Sequence, residues 1–111
     1  MIIAIPCVEK KLCMHFGHCE QFAFVNVNEK KEIENTEMVT PPPHEPGLLP
    51  KWLGEKHVDI IIAGGMGSRA QALFQQNGIK VVTGAVSDSP EALVKAYFEE
   101  TLKTGVNTCD H

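Results

Sequence analysis

The heptapeptide CMHFGHC, Cys13 to Cys19, sets two thiols and two imidazoles around a Phe-Gly pair. Thiolate and imidazole are the side chains that bind soft and borderline transition metals, so their crowding points to metal chemistry. Cys13, His15 and Cys19 rank ahead of His18, because His18 and Cys19 are adjacent and project apart unless the backbone curls tightly. Two further segments carry ligand-type side chains: His44 in TPPPHEPG, and Cys109 with His111 in the terminal NTCDH. Each has a plainer alternative. His15 could be a turn residue bonded to its own loop, Cys13 and Cys19 could form a disulfide, and NTCDH could be a disordered end. Phe16 reads as a hydrophobic anchor for the segment and Gly17 as a backbone position with an unusual torsion. Cys7 reads as a small buried hydrophobe and His57 as a solvated turn residue without a role.

A second constellation is GGMGSRA, residues 64–70, which follows an apolar run and precedes a helical pattern. Gly65-x-Gly67-x-x-Ala70 has the outline of a dinucleotide fingerprint, but no acidic ribose partner ends the next strand. Amides at Gly65, Met66 and Gly67, helped by Arg69, would instead suit an anion such as the sulfur or oxygen periphery of a thiometallate cluster. The competing reading is a tight turn that lets helix and sheet pack closely. Other chemistries lack their residues. No C-x-x-C supports a thiol oxidoreductase, and the first strand has none of the carboxylates a Mg2+-dependent nuclease needs at its strand ends.

These residues need a scaffold, and 111 residues supply one domain that buries about two thirds of its unfolded surface. We expect a single domain over 1–103 and a tail over 104–111. Ten Lys+Arg against 14 Asp+Glu, a formal net charge of −4, argue against a broad nucleic-acid or anionic-membrane footprint. The apolar run in MIIAIPC is too short for a signal peptide or a spanning helix, which implies a cytoplasmic protein whose cysteines are free, metal-bound or catalytic.

Ile2 to Ile5, ending at Pro6, predicts a central strand covered on both faces. QFAFVNV and EIENTEMV, joined by NEKK, predict a hairpin whose second strand is polar enough for an edge. TPPPHEPG can be neither helix interior nor central strand. Leu48, Leu49, Trp52 and Leu53 have helical spacing. Val58–Ala63 reads as a strand, Ala70, Leu73 and Phe74 as a helix closed near Gly78, and Lys80–Thr83 as a strand. Ser89 as N-cap with Pro90 behind it predicts a last helix to about Leu102, ending near Gly105.

The order implies an α/β sandwich on a five-stranded mixed sheet with three helices, only the hairpin's first strand being antiparallel. The other four strands then deliver their C-terminal loops to one edge, where open α/β sheets bind ligands. That edge gathers Cys13, His15, His18, Cys19 and His44 beside the GGMG turn. The tail starts on the far side, and seven residues from Gly105 can extend ~23 Å back toward it.

Read in order, HFGHCEQFAFVNV, PPHEPGLLPKWL, IIAGGMGSRAQALF and GIKVVTGAV closely resemble the dinitrogenase iron-molybdenum cofactor biosynthesis family. That family includes NifX-like proteins, the C-terminal domain of NifB and stand-alone relatives such as the molybdenum-copper orange protein. The resemblance runs from Met1 to about Leu102 and reaches His15, Phe16 and Gly17 directly. It implies a ribonuclease-H-like fold, no catalytic activity, and binding or carriage of an iron-sulfur or molybdenum-containing cluster, Mo-Fe-S or Mo-Cu-S. His15, Gly17, Gly65, Met66, Gly67 and Arg69 would then line the group, with donor and acceptor proteins for it as partners. The alternative is a mononuclear Zn2+ or Fe2+ protein using Cys13, His15, Cys19 and one of His44, Cys109 or His111.

Overall fold

The computed structural model describes residues 1–8, 11–12, 20–41, 48–85 and 88–99. Its centre is β1, Ile2–Val8, whose residues 3–7 are all buried. Ile3, Ile5 and Cys7 point to one face of the sheet and Ala4 to the other, the period-two alternation of a strand covered on both sides. The strand runs past Pro6 to Val8, beyond the expected end at Ile5. The Ile2 carbonyl accepts from Asp59 N–H, whereas the Cys7 carbonyl accepts from Glu20 N–H on the opposite neighbour. Alternation therefore turns the ring nitrogen of Pro6, which has no proton to donate, toward the side where β1 changes partner.

That change is between β5, Ile60–Ile62, whose last pair is Ala4↔Ile61, and β2, Lys11–Leu12, whose first is Cys7↔Leu12. Among the described residues the two-residue β2 makes the sheet six-stranded, not five-stranded as expected. On the other flank β3, Gln21–Val27, runs antiparallel to β1, and β4, Ile33–Val39, is the outer strand. Asn28 closes this hairpin by accepting from the amides of Lys30 (2.9 Å) and Glu32 (3.0 Å) with its side-chain oxygen. Exposed Glu34 and Glu37 suit β4 to the edge, where charge discourages further pairing. With β6, Lys80–Val82, the main order is β4-β3-β1-β5-β6. β1, β5 and β6 are parallel, and β4 is parallel to them through the antiparallel β3.

One face is covered by α3, Pro90–Phe98, the other by α1, Leu48–Glu55, and α2, Ser68–Gln76. Phe22, Phe24, Leu53, Ile61 and Phe74 make the second core, and Trp52 leans on Phe22 and Phe24 at ring separations of 5.8 and 5.7 Å. Each such side chain contributes about 1.5–3 kcal/mol by leaving water, which is the main hold on a two-faced sheet of this size.

Ser89 caps α3, its hydroxyl accepting from Ala92 N–H at 3.3 Å, with Pro90 in the first turn. The helix runs to Phe98 with Glu99 as its C-cap, and residues 100–102 of its expected continuation lie outside the described residues. The other helices end on left-handed residues. After α1, His57 at φ 63° donates to the Gly54 carbonyl and Val58 to that of Leu53; after α2, Gly78 at φ 75° donates to Gln75 and Ile79 to Phe74. Among the described residues no helix is long and apolar enough to cross a membrane.

Candidate metal-cluster edge

Because β1, β4, β5 and β6 share one direction, the chain leaves all four at the same edge of the sheet. Backbone bonds stitch the β5 and β6 exits together. Ala63 N–H donates to Val82, Gly84 N–H to the Gly64 carbonyl at 2.7 Å, and Ala85 N–H to Ala63. Gly84 sits at φ 82°, a torsion in which any side chain is strained, so the contact between the two turns depends on glycine there.

The exit from β1 is fastened at two points. Leu12 pairs with Cys7 on one side, Gln21 pairs with Cys7 on the other, and Glu20 N–H reaches the Cys7 carbonyl at 2.9 Å. Leu12 N–H also donates to the Asp88 carbonyl at 3.0 Å, tying this exit to the approach to α3. With strands ~4.8 Å apart, Leu12 and Gln21 stand about 10 Å from each other across β1. The connecting chain, residues 13–20, has a reach of about 30 Å, so CMHFGHC begins and ends at one strand position with length to spare.

Cys13, His15, Phe16, Gly17, His18, Cys19, His44, Cys109 and His111 lie outside the described residues, as does the tail 104–111. Among the described residues no group of three or more His, Cys, Asp or Glu could hold a metal ion. Those of the second constellation are placed. Gly64 and Gly65 are buried, and neither amide donates to a backbone carbonyl among the described residues. Gly67 is the N-cap of α2, with no side-chain hydrogen bond to the first turn. Arg69 is exposed one residue into that turn. Met66 is different: its side chain is wholly buried in the core shared with Phe22 and Phe74, so that side chain does not reach the edge. The Met66 carbonyl accepts from Gln71 Nε2 at 2.9 Å. The turn thus combines an anion-suited helix start with a packing anchor.

Cys7 is buried within β1, its thiol directed at the Ile5 carbonyl at 3.3 Å, as a small hydrophobe would be. His57 is exposed at the opposite edge. Sequence patterns gave no hint of Leu12 or of the Asp88 carbonyl as anchors: a two-residue strand has no periodicity, and a carbonyl leaves no trace in residue type. Gln71, four residues after the helix N-cap, is equally silent.

The family model described as dinitrogenase iron-molybdenum cofactor matches residues 1–100. The chain belongs to this family. Uncharacterized protein MJ0580 of Methanocaldococcus jannaschii is 32% identical over 108 residues, 93% of this chain and 90% of that one. The crystal structure of PH0822 superposes with a TM-score of 0.86 at 33% identity, over 96% of both chains. The apo form of the orange protein from Desulfovibrio gigas superposes at 0.71 and 18% identity, over 96% of this chain and 93% of that one, a likeness of fold alone. As a dinitrogenase iron-molybdenum cofactor family member, the chain has its mixed sheet and three helices spanned by the family match up to the end of α3.

Proposed function

We propose that this protein is a non-catalytic cytoplasmic carrier that receives a preformed iron-sulfur or molybdenum-containing cluster at the loop edge and passes it on to an acceptor protein. The observation that carries this reading is the family match over residues 1–100. The strand order, with only β3 antiparallel among the long strands, supports a ribonuclease-H-like description of the scaffold.

The chemistry of the edge supports a cluster as cargo in preference to a bare cation. Gly64 and Gly65 amides, the uncapped start of α2 and Arg69 all offer donors or positive charge, which suit sulfide or oxide atoms at the rim of an anionic group. Cys13, His15 and Cys19, with His18, His44, Cys109 or His111 as further ligands, would supply the soft contacts to its metals. Exchange between donor and acceptor proteins requires contacts firm enough to hold the cargo and open enough to release it, and ligands carried on connecting segments provide both.

The test is anaerobic loading of the purified chain with tetrathiomolybdate, tetrathiomolybdate plus Cu+, ferrous iron plus sulfide, or Zn2+ alone. After desalting, metal, sulfide and the visible spectrum are measured. A retained, sulfide-containing group that absorbs visible light supports the cluster. Retention of one Zn2+ per chain, with no sulfide and no visible band, overturns it in favour of a mononuclear site.

A further inference from the structure

At the edge of the sheet opposite the cluster loops, three shallow hollows adjoin around Lys31 and Phe98. The middle one, about 490 Å3, is lined by Met1, Lys31, Ile60, Lys80, Tyr97 and Phe98. Its lining carries the Lys31 and Lys80 ammonium groups, the α-ammonium of Met1 and no carboxylate, on a chain whose net charge is −4, whereas Glu29 and Glu34 line the hollow on one side of it and Glu32 and Glu99 the hollow on the other. Its floor is apolar. Tyr97 and Phe98 meet edge to face at 5.3 Å, and Met1, 56% exposed, is the exposed large apolar side chain among the described residues.

Both lysines are held in place. Lys31 Nζ lies 5.9 Å from the Phe98 ring centre; Lys80 Nζ lies 5.6 Å from that of Tyr97 and donates to the Tyr97 hydroxyl at 3.1 Å. Lys31 occupies φ 64° in the Asn28-closed turn, a position where glycine would cost less. The hollow is an open trough. A small molecule there would keep much of its surface in water, whereas specific small-molecule sites enclose most of the ligand. An extended chain segment needs no such enclosure.

We propose that this trough docks an acidic peptide segment of a partner protein, an apolar side chain resting on Met1 and the Tyr97–Phe98 edge and carboxylates meeting Lys31 and Lys80. The cargo reading is not needed for this, since the trough and the cluster loops lie at opposite ends of the strands. A partner held here leaves the cluster edge open.

The full chain is titrated with a fluorescein-labelled peptide of two glutamates, leucine, phenylalanine and two glutamates, and with the same peptide carrying lysines for glutamates. Fluorescence anisotropy at low salt should show saturable binding of the acidic peptide only, weakening as salt screens the charges. Lys31→Gln and Lys80→Gln should each weaken it about two- to fivefold, and the double Lys31→Glu, Lys80→Glu variant at least tenfold, while Lys51→Glu on α1 has no effect. Amide shifts on binding should centre on residues 31, 80 and 97. The proposal is overturned if the wild-type chain does not bind the acidic peptide at millimolar concentration, if the double variant binds it equally, or if the basic peptide binds as well. Sedimentation that finds a wild-type dimer dissociated by the double variant also overturns it, making a second copy the occupant.

Discussion

Replacing Gly84 by alanine measures what the stitched turns contribute to cargo binding, provided that Gly78→Ala is measured beside it. Both glycines are left-handed, at φ 82° and 75°. Holding an L-residue there costs about 1–2 kcal/mol, and the stiffer unfolded chain returns about 0.4–1 kcal/mol, leaving a net loss of about 1 kcal/mol for each variant. For a domain of this length that is about 4–8 °C in Tm. At Gly78 the loss is backbone alone, since an added Cβ meets nothing within 4 Å. At Gly84 the amide also grips the Gly64 carbonyl at 2.7 Å, so relaxation of the strain displaces Gly64 and Gly65. Calorimetry gives the two Tm values. Cluster retention after desalting, at a temperature well below both, gives the functional contrast. Similar Tm losses with retention reduced only in Gly84→Ala are expected. Equal retention in the two variants would refute the assignment of Gly64 and Gly65 to the cargo edge.

His57→Gly should stabilise the chain by about 0.5–1 kcal/mol in urea unfolding, because histidine at φ 63° occupies a torsion glycine adopts freely. Cys13→Ser and His15→Ala should weaken cluster retention strongly and Cys109→Ser less, while Cys7→Ser should chiefly lower Tm, its side chain being buried in the core; reconstitution of each variant followed by metal analysis separates the effects. Chelator treatment should leave far-ultraviolet circular dichroism and cooperative melting intact, since both faces of the sheet are packed by apolar side chains; collapse on chelation would point to a structural metal.

Where side-chain type determines local structure, the sequence was legible. Ser89 with Pro90 marks a helix start, Gly78 a helix end, and the glutamates of β4 an edge, and each is found there. Pro6 misled because a proline's effect depends on which neighbour its nitrogen faces, and that is a property of register. β2 escaped because two residues have no pattern. At the candidate edge, parallel strand order was enough to foresee which strands end there. The anchors that position them, Leu12 on Asp88 and Glu20 on Cys7, are backbone bonds and carry no signature in residue type.

The double fastening at Cys7 has an evolutionary consequence. A segment that departs from and returns to one strand position can be lengthened, shortened or rewritten without shifting the register of any strand, and doubling its length costs only about 0.6 kcal/mol in closure entropy. Selection can therefore vary thiol and imidazole content there as an interchangeable cassette, while the sheet beneath stays under unrelated constraints. Transplanting residues 13–19 into a homologue between the equivalents of Leu12 and Glu20 should carry metal preference with it and leave the recipient's folding stability nearly unchanged.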